Sequence, residues 1–171
     1  MLRAELVMAE RTYNVFFLCT HNSARSIMAE VITNYVGRRH FKGYSAGSYP
    51  ATAPNPFTLE ALRRLRFPTD GLYSKNWDEF AKPDAPVMDF VITVCDDAAG
   101  EVCPVWPGQP ITAHWGVEDP SQFQGNDDAT SREFTRVATI LKRRIELFTS
   151  LPLDKLDRLK LEKTVRDLGK Q

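Results

Sequence analysis

The chain has 171 residues, enough for one ordinary domain and few for two, and its 43% hydrophobic and 26% charged content is that of a globular protein with a packed core. Lys+Arg and Asp+Glu balance at 22 each for a formal net charge of zero, and no basic run stands out, which argues against a nucleic-acid surface. No apolar run approaches the roughly 18 residues of a membrane span, and the N-terminus lacks the long apolar core of a secretory signal.

Residues 1–11 precede the first predicted element, contain a second methionine at Met8, and read as an extension without functional weight. Val15, Phe16, Phe17 and Leu18 then read as a buried strand, followed by a polar loop that opens with Cys19 and closes with Arg25. From Ser26 the composition is helical, with Ile27, Val31 and Tyr35 on one face and a C-cap expected near Gly37. Five residues between Cys19 and Arg25 are enough to wrap backbone around a tetrahedral anion, so Thr20, His21, Asn22, Ser23 and Ala24, with Arg25 and Ser26, form a candidate oxyanion site. Helix dipole and unpaired N–H groups at the same place stabilise a thiolate, and cysteines so placed have pKa values of roughly 3.5–7.5. Cys19 is the expected nucleophile, Arg25 the bidentate grip on the anion, Ser26 a hydrogen-bond donor to the thiolate, and Asn22 the residue that tolerates a left-handed turn. A buried structural cysteine with a surface arginine is the plainer alternative.

This C-x2-N-x2-R-S signature after a first strand resembles the low-molecular-weight protein tyrosine phosphatases and the arsenate reductases that share their fold. The likeness covers about residues 12–150. Two departures stand inside the loop: His21 where many relatives have Gly, and Ala24 where many have a second Cys, which removes any resolving thiol there. By the same resemblance, Glu30 and Ser45 fall near positions that support the loop or a cation in related reductases, although the residues alone read as a solvated Glu and a turn Ser.

Further along, Phe41 to Ala46 is a short strand closed by Gly47, and Pro56 opens a helix carrying Leu59, Leu62, Leu65 and Phe67. Ser74 reads as a helix cap before Asp78 and Glu79. Met88 to Val94 is the strongest strand, apolar nearly throughout as a central parallel strand should be. Strands alternating with helices predict an α/β fold: a single doubly wound, four-stranded parallel sheet flanked by helices, phosphatase-like, with a C-terminal helical extension. Ligands in such sheets sit at the carboxyl ends of the strands, where both Cys19 and Cys95 would lie.

Three cysteines in a chain without an export signal point to reduced thiols, cytoplasmic location and chemistry in place of a disulfide framework. Cys95 and Cys103 are too far apart for usual zinc spacing and lack a second pair, so no metal or organic cofactor is expected. A continuous helix would hold their Cα atoms roughly 12 Å apart, against the roughly 4.4–6.8 Å of a disulfide. Bridging them therefore requires an unwound segment, which Gly100 and Pro104 favour. Asp96 and Asp97 would hold Cys95 largely protonated at rest.

Ile111 begins a short strand that leads through His114-Trp115-Gly116 to Asp119-Pro120. Phosphatases of this fold use such an Asp as general acid, which the resemblance carries to Asp119; a turn or N-cap Asp is the plain alternative. Aromatic residues commonly follow that Asp-Pro in the phosphatases, whereas Ser121 and Gln122 follow here and His-Trp-Gly precedes, as in the reductases. A long amphipathic helix from Asp128 turns Phe134, Val137, Leu141, Ile145 and Phe148 to the sheet, and residues 151–171 form a helical tail with Leu156, Leu159 and Leu168.

The resemblance thus implies an arsenate reductase: Cys19 attacks arsenate, Asp119 protonates the departing oxygen, Cys95 and Cys103 resolve the adduct, and thioredoxin or a glutaredoxin-type protein reduces the result. Phosphate or sulfate would occupy the same loop as analogues. The alternatives are a phosphotyrosine phosphatase acting through phospho-Cys19, in which Cys95 and Cys103 are dispensable, and a non-catalytic oxyanion sensor.

Overall fold

The computed structural model describes residues 11–94, 106 and 108–171. Cys95, Cys103 and the segment between them, together with residues 1–10 of the expected extension, lie outside the described residues.

Four strands form one parallel sheet: β1 (Tyr13–Cys19), β2 (Phe41–Gly47), β3 (Phe90–Thr93) and β4 (Ile111–His114), in the order β2-β1-β3-β4. The helices are α1 (Arg25–Val36), α2 (Pro56–Arg64), α3 (Asp127–Thr149) and α4 (Arg158–Leu168), with short 3-10 turns at Trp77–Phe80, Pro120–Gln122 and Leu153–Lys155. The α/β expectation therefore holds, and β3 is shorter than the apolar run that predicted it: Met88 is buried ahead of the ladder and Val94 follows it.

β1 alternates between two cores. Val15, Phe17 and Cys19 join the larger cluster under α1 and α3, and Phe16 and Leu18 join Met88, Val91 and Trp106 on the other face. A strand buried on both sides has no polar alternation to display, which is why it reads as a continuous apolar run. The strand order reverses direction at β1, with β2 on one side and β3 on the other. The crevice of such a sheet opens at that switch point, beyond the carboxyl end of β1. Gly47 pairs in register with Cys19, and a Cβ there would collide with the Thr20 carbonyl oxygen and lie 2.9 Å from that of Cys19, so only glycine fits.

Two surface assignments change. Tyr35 is 46% exposed, stacked edge-on to Phe67 beyond the apolar face of α1, and Leu159 is 81% exposed while Leu161, Val165 and Leu168 face inward. α4 packs on β4, where the Trp115 indole donates to the Val165 carbonyl at 2.8 Å. Arg144 on α3 is buried and donates to the carbonyls of Trp115, Gly116 and Gln171, and burial lowers its pKa. The segment leading toward Asp119 is thereby fastened to two helices.

Candidate active site

Cys19 ends β1 and is 5% exposed; Arg25 begins α1 and is 6% exposed. The backbone between them can be followed by its carbonyl groups. Thr20 O accepts from Tyr49 N at 2.9 Å, and His21 O from Ala51 N at 2.9 Å. Asn22 O accepts from Ser74 Oγ at 2.6 Å, Ser23 O from Asn55 N at 2.9 Å and Thr58 Oγ1 at 2.8 Å, and Ala24 O from Met28 N at 2.9 Å. All five oxygens are engaged by surrounding backbone and side chains, so they are turned away from the loop's centre and the amide groups face inward. No side chain caps α1, which leaves its first-turn donors to the same centre.

Asn22 is the internal pin. Its backbone is left-handed at φ 47°, and its side chain is fully buried. Nδ2 donates to Ser26 Oγ at 2.8 Å and to Ser45 Oγ at 2.9 Å, while Oδ1 accepts from Lys75 N at 2.9 Å. Ser45 Oγ in turn donates to Glu30 Oε1 at 3.0 Å, and Lys75 Nζ lies 3.5 Å from that oxygen. Glu30, which the residues alone suggest is solvated, and Ser45, which they suggest is a turn residue, belong to this buried network, Ser45 from within β2. Ser74 does not cap a helix: Asn76 caps the 3-10 turn at Trp77–Phe80, and Ser74 holds the loop instead. Sequence reasoning missed Ser74, Lys75, Asn55 and Thr58, because a Ser-Lys-Asn string carries no signal for a partner some fifty residues earlier in the chain.

Arg25 spans the loop and the next segment. Nη1 donates to Val117 O at 3.0 Å, and Nη2 lies 3.4 Å from Asp119 Oδ2. Nε is buried without a hydrogen-bond partner. A buried donor left unpaired costs about 1–3 kcal/mol, and a bound oxyanion would satisfy it. Asp119 Oδ1 accepts from Ser121 N at 3.0 Å and Ser121 Oγ at 2.7 Å, so the residue is a turn cap and a neighbour of Arg25 at once. Cys19, His21, Asn22, Ser23, Ala24, Arg25, Asp119 and Ser121 line one small concavity. His21 is exposed, with Nδ1 3.1 Å from Tyr49 O. Cys95 and Cys103 fall outside the described residues, and among the described residues no cluster of His, Cys, Asp or Glu is arranged to hold a metal ion.

Comparison with known proteins gives a consistent result. The family model described as "Low molecular weight phosphotyrosine protein phosphatase" matches residues 14–163. An arsenate reductase of Oceanobacillus iheyensis is 34% identical over 134 residues, covering 78% of this chain and 93% of the relative. A solved arsenate reductase in the phosphate binding state superposes with a TM-score of 0.65 at 26% identity, covering 81% of this chain and 98% of the other. The thioredoxin-dependent arsenate reductase of Corynebacterium glutamicum does so with a TM-score of 0.54 at 25% identity, covering 84% and 67%.

Proposed function

We propose that this chain, which belongs to the low molecular weight phosphotyrosine protein phosphatase family, is an arsenate reductase that works by a relay of three thiols. The observation that carries the anion-binding half is the loop's outward carbonyls with the buried, unpartnered Nε of Arg25 beside Cys19. The reductases among its relatives carry the choice of reaction.

Arsenate sits in the loop with its oxygens on inward N–H groups and on the Arg25 fork. The Cys19 thiolate attacks arsenic, an oxygen leaves as water after Asp119 supplies a proton, and a sulfur–arsenic bond forms; positioned general acids contribute about 10²–10⁴-fold. Cys95 then attacks the Cys19 sulfur. A disulfide forms between them, the electron pair of the sulfur–arsenic bond stays on arsenic, and arsenic(V) leaves as arsenite, arsenic(III). Cys103 attacks Cys95, which frees Cys19 as thiolate and leaves a Cys95–Cys103 disulfide for a thioredoxin- or glutaredoxin-type dithiol to reduce. Such chemistry suits the reducing cytoplasm. No step calls on a metal or an organic cofactor.

The phosphatase reading uses the same Cys19, Arg25 and Asp119, so the second and third thiols separate the two. Cys95→Ser and Cys103→Ser are each expected to abolish multiple-turnover arsenite production with thioredoxin and its reductase while sparing hydrolysis of an aryl phosphate. Equal arsenate reduction in wild type and both variants would remove the relay. Failure of iodoacetate to alkylate Cys19 rapidly at pH 6 would favour a non-catalytic anion sensor.

A further inference from the structure

One side chain of the anion loop has no part in the chemistry above. His21 lines the concavity with Cys19, Arg25 and Asp119, and it is exposed, so it stands at the mouth. Its Nδ1 lies 3.1 Å from Tyr49 O. A carbonyl oxygen only accepts, so Nδ1 carries the hydrogen of that bond, and Nε2 is the nitrogen left to gain or lose a proton. A neutral ring and an imidazolium both donate from Nδ1, which leaves the bond to Tyr49 the same in either state. The backbone holds the same pair of segments together, because His21 O accepts from Ala51 N at 2.9 Å. The ring can therefore take up a charge without letting go of the segment beside it.

The charges around the concavity call for such a group. Arg25 brings one positive charge, while Asp119, with Oδ2 3.4 Å from Arg25 Nη2, and the Cys19 thiolate each bring a negative one. The resident side chains thus sum to one unit negative, and a dianion has to enter against them. Inward amides and the start of α1 offset part of that repulsion. Of the residues lining the concavity, His21 is the one besides Arg25 that can carry a positive charge. Residues 48–55, on which the ring rests, hold no acidic or basic side chain and only the Tyr49 phenol as a titratable group, and Glu118 beside Asp119 is paired with Arg136.

We propose that His21 is a second, titratable cation of the anion site: as imidazolium it cancels the excess negative charge of Cys19 and Asp119 and strengthens the hold on a dianion, and as neutral imidazole it does not. This rests on the loop being the oxyanion site and on Cys19 being its thiolate, as proposed above. Arg25 supplies the directional grip at every pH, and His21 adds an undirected attraction that grows as pH falls.

The test uses sulfate, which stays a dianion across the range where imidazoles gain their charge, about pH 5 to 8. Its dissociation constant is read from the concentration that halves the rate of Cys19 alkylation by iodoacetamide. The full-length protein is used with Cys95 and Cys103 both replaced by Ser, and thermal unfolding is measured alongside. In His21→Asn the side-chain amide can donate to Tyr49 O where Nδ1 does, but it carries no charge. Arg25, Asp119 and Cys19 are common to all variants, so the ratio of the two dissociation constants isolates His21. The parental protein is expected to bind sulfate about fivefold tighter than His21→Asn at the acid end of the range and equally at the alkaline end. His21→Lys, a cation throughout, should bind about fivefold tighter than the parental protein at the alkaline end. Both gaps should narrow as sodium chloride is raised to about 0.5 M, because partly exposed charges are screened. A folded His21→Asn that matches the parental protein at both ends overturns the proposal, as does a His21→Lys no tighter than the parental protein at the alkaline end. A gap indifferent to salt also overturns it, since it would mark a change in loop shape. Sulfate that protects Cys19 in no variant at any pH would instead count against the anion site itself, so the two failures are distinguishable.

Discussion

Each carbonyl from Thr20 to Ala24 is held from behind by Tyr49, Ala51, Ser74, Asn55 and Thr58 or by the first turn of α1, whereas the bonds of the segment carrying Asp119 are mostly with itself. Up to Val117 that segment is anchored, by Arg144 to Trp115 and Gly116 and by the Val117 amide to Val94 O. From Glu118 on, among the described residues, its hydrogen bonds and ion pairs are the Asp119–Ser121 cap, the turn at Pro120–Gln122, the Arg25 pair and the exposed Glu118–Arg136 pair, with Pro120 buried where the turn packs on α3. The difference teaches a division of labour. A cradle whose donors are fixed before the anion arrives pays no reorganisation when charge develops, while Asp119, proposed above as the proton donor, sits on a locally held turn that could adjust to a departing oxygen.

Arg25 belongs to both regions, so Arg25→Lys is expected to give the largest effect, about 10³-fold in kcat/KM, because an ammonium replaces neither the fork nor the bond to Val117 O. Steady-state kinetics and competitive inhibition by phosphate should both worsen. Asp119→Asn sharpens the contrast: kcat should fall about 10²-fold while the phosphate inhibition constant changes little, since the acid does not build the cradle. If both parameters moved together, the two regions would not be separable. Ser74→Ala probes the cradle alone. It strips the Asn22 carbonyl of its side-chain partner and should cost about 1–3 kcal/mol in denaturant unfolding. The smallest effect is expected at Glu133, whose carboxyl is held below its ordinary value chiefly by hydrogen bonding to Arg136, the residue that also reaches Glu118. Because the folded-state value is lowered, this stabilisation is present above the ordinary value of 4.5 and is lost as pH falls through the lowered one. Glu133→Gln should cost about 0.3–0.5 kcal/mol at pH 7 and nothing near pH 2, read from thermal unfolding at the two pH values.

The strands were legible because burial on both faces leaves runs such as Val15–Leu18 and Phe90–Ile92 without polar interruption. The loop was legible because its spacing and residue types are local. Its support was not: Ser74 and Lys75 act on Asn22 across more than fifty residues, and only the fold brings them there. Glu30 was misjudged for a related reason. A carboxylate on a helix is usually solvated, and what draws this one inward is a lysine that no helical periodicity connects to it. Tyr35 had the right spacing for the apolar stripe of α1, but its ring stands at the margin against Phe67.

A cradle built from amide hydrogens and one guanidinium measures an occupant by its shape and negative charge, and the central atom contributes nothing to those contacts. Phosphate, which matches arsenate in both respects, should therefore linger there as often as its abundance allows. Discrimination then falls to the step after docking: the sulfur bond to arsenic can be cleaved with two electrons left behind, and phosphorus does not accept them. The protein would be selective by the fate of what it holds, and its throughput in a cell would follow the ratio of the two anions.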